Sequence, residues 1–318
     1  MRTPGEKSRR RRNAALAAAL ATLVAAASLL GCSATSTGSA AAAAAPAGDG
    51  RIRIVASIAP LADLARRVGG ERVVVTTLVP AGASEHTWEP TPRALARLGD
   101  VRLFLRVGAG FEPWAGRLVD AVASDARQVT VVDASQGLDL LADADGATHA
   151  NPHYWLDPRS VSLCLPRLAE ALAAIDPPGA DGYRERAAAT GAELEALDRE
   201  IRERTARFTS RGIISFHAAW DYFARRYGLA VVASIESFPG REPGPRRVAE
   251  IVDLARREKV RAVFAEPQSS AKAAEAIAEE CGIPVRVLDP LGGEGIAGRA
   301  DYFSLMRYNV GVLETALR

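Results

Sequence analysis

Residues 159 to 208 carry no strand signal, whereas on both sides of them short β-branched runs alternate with helical ones. Upstream, RIRIVAS, VVVTTLV, VRLFLRVG and VTVVD are separated by helical stretches such as PLADLARRVG and TPRALARLG. Downstream, GIISFH, LAVVASI, RAVFAEP and PVRVLD alternate with WDYFARRYG, GPRRVAEIVDLARREK and SAKAAEAIAEECG. Such alternation builds parallel sheets flanked by helices, because two parallel strands need a crossover connection between them. The pattern predicts an α/β protein of two lobes, each with a mainly parallel sheet: an N-terminal lobe over 51–158, interlobe helices over 159–210 and a C-terminal lobe over 211–318.

The interlobe stretch itself has helical periodicity. Val161, Leu165, Leu168, Leu172 and Ile175 mark one amphipathic helix, closed by Asp176, Pro177 and Pro178. Tyr183, Ala187, Thr190, Leu194, Leu197, Ile201 and Phe208 mark a second, longer one. About 26 residues of helix cover roughly 39 Å, the length of a small domain. A rigid strap of that length joins both lobes and allows less motion than a loose hinge.

Residues 1–31 read as an export signal: Arg2, Lys7 and Arg9 to Arg12, then an apolar stretch from Ala14 to Leu30, then Gly31 before Cys32. The apolar part is short and mostly alanine, which favours a lipoprotein signal over a spanning anchor. Cleavage would leave Cys32 to carry the lipid. Residues 32–50 form a flexible tether of Ser, Thr, Gly and Ala, spanning roughly 23 Å on average as a coil. Removing residues 1–31 takes away six basic residues and one acidic one, so 40 against 38 becomes 34 against 37 and the net charge falls from +2 to −3. The remaining arginines alternate with glutamates along helices, as at Arg199, Glu200, Arg202 and Glu203, which gives no nucleic-acid footprint. Cys164 and Cys281 fall on apolar helix faces in different lobes and read as buried small hydrophobes rather than as a disulfide.

Four histidines are present, and three of them stand beside tryptophans: GASEHTWEP around His86, NPHYWLDP around His153 and SFHAAWDYF around His217. VLDPLGG adds Asp289. Ligands of open α/β sheets bind beyond the carboxyl ends of the strands. His86 follows VVVTTLV, His217 closes GIISFH and Asp289 closes PVRVLD, while His153 lies in the segment leaving the first lobe. Two ligands from each lobe thus meet in the cleft. Three imidazoles and a carboxylate are donors that zinc takes, four at a time in a tetrahedron. Trp88, Trp155 and Trp220 are expected to wall the imidazoles from water, with at least one of the three serving simply as core; Trp114 is expected to serve packing, and His149 to be an exposed loop residue.

The segments VPAGASEHTWEPTP, VGAGFEPW, NPHYWLDP, FHAAWDYFARRYGL, EPGPRRVAEIV, FAEPQSSAKAAEAIAEECGIPV, VLDPLGG and DYFSLMRYNV occur in one order over residues 51 to 315. In this the chain resembles the metal-ion substrate-binding lipoproteins of ABC transporters, which take up zinc or manganese. The resemblance implies two lobes on a long helix and metal ligands at His86, His153, His217 and Asp289, with Glu85 as a further ligand or supporting residue. Histidine at the third position is similar to zinc-binding members, whereas manganese members tend to carry glutamate there, in line with the harder ion's preference for oxygen. Zinc-type relatives often have a histidine-rich loop before the second ligand; here ADADGATHAN offers only His149.

The implied function is a non-enzymatic carrier outside the cytoplasm, in the periplasm or at the cell surface. It would be a monomer held to the membrane by its lipid, handing Zn2+ to a permease driven by a cytoplasmic ATPase. A manganese or broad-range carrier is the alternative within the family. Outside it stand a surface adhesin and a zinc hydrolase; the latter needs an open metal position and a general base, and the chain has no HExxH helix.

Overall fold

Two four-stranded sheets, all strands parallel, carry the molecule. The first contains β1 (Ile52–Ala56), β2 (Val73–Thr77), β3 (Leu103–Arg106) and β4 (Thr130–Asp133) in the order β2-β1-β3-β4. The second repeats it with β5 (Gly212–Ser215), β6 (Ala230–Ser234), β7 (Val263–Ala265) and β8 (Val285–Val287) in the order β6-β5-β7-β8. In each lobe the chain moves outward to one side of its first strand and then crosses to the other, so the crevice opens beside β1 and β3 and beside β5 and β7. This computed structural model describes residues 49–318 apart from 97, 123–127, 143–149 and 237–239. The export signal, Cys32, most of the tether and His149 lie outside the described residues.

Local sequence accounts for the helices that frame the crevice. In α1 (Ala59–Gly69) a proline sits in the first turn, where its missing N–H costs nothing, and Gly70 closes the helix at φ 61°. Leu61, Leu64 and Val68 of α1 are fully buried, each contributing on the order of 1.5–3 kcal/mol. The helices α2 (Pro92–Ala96) and α3 (Ala115–Val122) complete the first lobe. The helix expected from Val161 to Ile175 is two helices, α4 (Pro158–Ser162) and α5 (Leu165–Ile175). Asp157 caps α4 by accepting from the Arg159 N–H, and Pro166, in the first turn of α5, cannot continue the ladder across Leu163 and Cys164.

The long helix α6 (Ala180–Thr205) has the expected 26 residues and packs on α1, α4, α5, α7 (Asp221–Tyr227) and the C-terminal α10 (Tyr302–Leu317). Arg226 of α7 clamps its buried Asp198 with two hydrogen bonds of 2.9 and 2.7 Å. One hydrophobic cluster runs from Ile54 and Leu61 through Trp155, Leu194 and Leu197 to Trp220 and Met306, so the two sheets share a core along α6. A second cluster fills the outer side of the second lobe under α8 (Pro245–Arg257) and α9 (Lys272–Cys281). Cys164 and Cys281 are both free thiols; Cys164 is buried and Cys281 only partly so. Among the described residues, no helix is long and apolar enough to cross a membrane.

Candidate metal centre

Three loops at the carboxyl ends of the strands converge in the crevice. The loop after β2 carries Glu85 and His86, and the segment entering the 3-10 turn Tyr154–Leu156 carries His153. His217 follows β5 by two residues. The His153 Nε2 lies 3.1 Å from the Nε2 of His86 and 3.1 Å from that of His217, so all three rings point their ε-nitrogens at one place. The Glu85 Oε1 is 3.9 Å from His86 Nε2 and 3.8 Å from His217 Nε2. Glu85, His86, His153 and His217 each offer one donor atom within a 4.8 Å group, and three of the four residues are buried.

Two of the rings are fixed by their other nitrogen. His217 Nδ1 donates to the Glu266 Oε2 at 2.6 Å, and Trp220 Nε1 donates to the other oxygen of that carboxylate. His153 Nδ1 meets the Asn151 Oδ1 at 2.8 Å. The Asn151 amide nitrogen donates to the Ala218 carbonyl and the Asp221 carboxylate, so its oxygen must accept and His153 Nδ1 must carry the proton. His153 Nε2 is thereby left with a free lone pair, and His217 Nε2 offers one as soon as the ring gives up its second proton, the arrangement a metal needs. Phe111 packs edge-on against His86 and Trp155 leans on His153, which covers one side of each ring.

The charges in the crevice follow from this packing. Burial, then the neighbouring His217, pulls His86 down to about 3, and the same causes together with His86 hold His153 well below its ordinary range. Burial also lowers His217, but the Glu266 carboxylate outweighs it and lifts the ring to about 9. Burial raises Glu85 to about 7. Its Oε1 is buried and has no hydrogen-bond partner among the described residues. An orphaned carboxylate oxygen in a ring of imidazole lone pairs fits a cation, because a buried acceptor without a donor is otherwise costly. A cavity of about 230 Å³ opens over the site, and Glu236 and Glu242 at its wall make the approach acidic.

Asp289 is not drawn into this group. It is fully buried, and its Oδ1 accepts from Gln268 Nε2 and from the N–H groups of Leu291 and Gly292, while Oδ2 pairs with Arg299 at 2.8 Å. Trp88 is the one of the three tryptophans that serves packing, edge-on against Trp114 at 5.5 Å beside the outer cluster of the first lobe. Sequence reasoning missed Glu266 and Asn151. Glu266 had a signal, since FAEP places a carboxylate at the end of β7, the strand beside β5.

Comparison with known proteins supplies the family. A family model described as "Zinc-uptake complex component A periplasmic" matches residues 54–316. The zinc-binding lipoprotein AdcA of Streptococcus pneumoniae is 27% identical over 281 residues, covering 84% of this chain but 56% of AdcA, so the chain spans little more than half of that relative. The manganese-binding lipoprotein MntA of Halalkalibacterium halodurans is 29% identical over 277 residues, covering 85% of this chain and 89% of MntA. The crystal structure of ZnuA superposes with a TM-score of 0.75 at 34% identity, covering 84% of this chain and 99% of that one. With its two parallel sheets on a long helix and a cluster of imidazoles and carboxylate in the crevice, the chain belongs to the ZnuA family of periplasmic components for zinc or manganese uptake.

Proposed function

We propose that the chain captures one Zn2+ through the Nε2 atoms of His86, His153 and His217 and the Oε1 of Glu85, and delivers it to an ABC permease. The observation that carries this reading is the orphaned Glu85 Oε1 facing three ε-nitrogens. Three nitrogens and one oxygen in a compact group suit tetrahedral zinc, whereas manganese favours six ligands richer in oxygen. Glu85 takes the fourth position because both oxygens of Asp289 are already engaged by donors. Four protein donors would leave no vacant position for a metal-bound water, unlike catalytic zinc, and the carrier role is taken over from the family. Lipid at Cys32 would hold the carrier beside its permease, outside the cytoplasm.

Calorimetric titration of the metal-stripped protein with zinc and with manganese tests the binding half of this reading. One zinc per chain, bound far more tightly than manganese and lost in His217→Ala, is the expected result. Equal affinity for manganese would reassign the cargo, and no tight binding of either ion would remove the site. The delivery half is tested by deletion: the strain should fail to grow under zinc limitation and recover with added zinc. Normal growth under that limitation would count against it.

A further inference from the structure

The chain order puts His153 with the first lobe, but its hydrogen bonds lead to the second. Asn151 Nδ2 donates to the Ala218 carbonyl at 2.7 Å and to Asp221 Oδ2 at 3.0 Å, both just beyond His217. Tyr222 Oη donates to the Asn151 carbonyl at 2.8 Å. Trp155 Nε1, on the other side of His153, donates to the Pro290 carbonyl at 2.8 Å. One side-chain bond runs the other way, from Tyr154 Oη to the Val107 carbonyl. Asn151 is fully buried, so none of its bonds is exchanged for water.

From this we infer that Asn151 is a positioning residue that joins His153 to the second lobe and sets its proton on Nδ1. The inference rests on the zinc-site reading above. Its single side chain does two things: Oδ1 accepts from both the backbone N–H and the Nδ1–H of His153, and Nδ2 holds the start of α7. The metal centre then divides in two. His153 and His217 form a fixed pair on the second lobe, and Glu85 and His86 ride on the β2 loop of the first. The loop pair meets this fixed pair only at the donor atoms themselves, His86 Nε2 at 3.1 Å from His153 Nε2 and Glu85 Oε1 at 3.8 Å from His217 Nε2; among the described residues, no hydrogen bond joins residues 80–85 or 87–90 to the second lobe.

An amide is required at position 151, because it must donate and accept at once. Aspartate still accepts from His153, but it loses the donor to Ala218 and sets its charge against Asp221. The pair Asn151→Asp with Asp221→Asn restores a donor across the same gap with the roles exchanged. Zinc affinity is expected to fall about 10- to 100-fold in Asn151→Asp, the usual range for an outer partner of a metal-binding histidine. The double variant should recover part of that loss, since the 151–221 bond returns while the Ala218 carbonyl stays without its donor. A residue that merely filled space would show no such rescue.

The second readout needs no metal. Long-range nitrogen–proton NMR spectra of zinc-free wild-type protein should show His153 in the Nδ1–H form, and Asn151→Ala should mix the two tautomers. An Nε2–H pattern in the wild type, an Asn151→Asp protein that binds zinc as wild type does, or a double variant as weak as the single one would each overturn the inference. Absence of zinc binding by the wild type would instead remove the site reading, and the His153 tautomer would still decide the role of Asn151.

Discussion

Which carboxylate completes the site is decided by two substitutions of one atom each. Glu85→Gln removes the charge from the orphaned oxygen and leaves its volume. Four-ligand structural zinc sites are worth about 10–16 kcal/mol, so one donor carries about 2.5–4 kcal/mol, a loss of roughly 100- to 1,000-fold in affinity. The same change should stabilise the metal-free protein. Burial raises Glu85 to about 7 against an ordinary 4.5, so the folded chain holds the proton more tightly than the unfolded one. Stability therefore falls as the pH rises from about 4.5 towards 7 and stays lowered above that, by as much as ~3 kcal/mol. Glutamine cannot ionise, so above pH 7 the variant should melt higher than wild type without metal and lower with it. Asp289→Asn should behave in the opposite way: it weakens the pairing of the fully buried Asp289 with a partly exposed Arg299, costing about 1–3 kcal/mol of stability, but leaves zinc affinity within about threefold. Competition titration against a chromophoric chelator and calorimetric melting, each with and without zinc, measure all four quantities. Wild-type affinity in Glu85→Gln together with a large loss in Asp289→Asn would refute the assignment of Glu85.

Two further outcomes follow from the same geometry. Gly293 has a φ of 146°, and a Cβ added there would lie 2.8 Å from the Cβ of Ala81 on the loop that carries Glu85 and His86. Gly293→Ala should therefore cost about 1–3 kcal/mol in strain and push that loop outward; Ala81→Gly should recover part of the lost zinc affinity, and a variant that melts and binds like wild type would disprove the close approach. The Glu266 carboxylate outweighs burial and lifts His217 to about 9, so at neutral pH the metal-free protein holds a proton that zinc must expel. Zinc affinity should rise about tenfold per pH unit between 7 and 9, and more steeply below 7 where Glu85 also holds a proton. Calorimetry in buffers of different ionisation enthalpy counts the proton released, and pH-independent affinity across that range would contradict the His217–Glu266 pairing.

Strand and helix placement was legible because it depends on local periodicity. The eight strands lie within the β-branched runs, and Tyr183, Leu194, Leu197 and Ile201 repeat on one face of α6 as the spacing requires. The break at Leu163 and Cys164 was not legible, since Val161, Leu165 and Leu168 continue the apolar stripe across it and only Pro166 marks the new start. The position of Asp289 at the end of β8 could be read, but the direction of its side chain could not. That is fixed by Arg299 and Gln268, which reach it from separate loops. The same limit hid Asn151, whose neighbours Ala218 and Asp221 are almost seventy residues away along the chain.

Zinc affinity in such a site depends on how closely the two lobes approach. Each donor is worth about 2.5–4 kcal/mol, so withdrawing Glu85 and His86 together would remove about 5–8 kcal/mol, a change of roughly 10⁴- to 10⁶-fold. No acid, reductant or chelator is needed for a loss of that size. The remaining His153 and His217 would keep their orientation, because Asn151 and Glu266 hold both rings whether or not the loop is in place, although His217 must shed the proton that Glu266 favours before its Nε2 can bind. A two-ligand platform would bind the ion more weakly and keep its order, as the proposed hand-over requires. The energetic asymmetry reinforces this division, since Glu85 on the loop is the group that burial penalises when no cation faces it. Loss of the metal therefore removes the favourable term that keeps the loop carboxylate inside the crevice, while the histidine pair keeps its hydrogen-bonded partners.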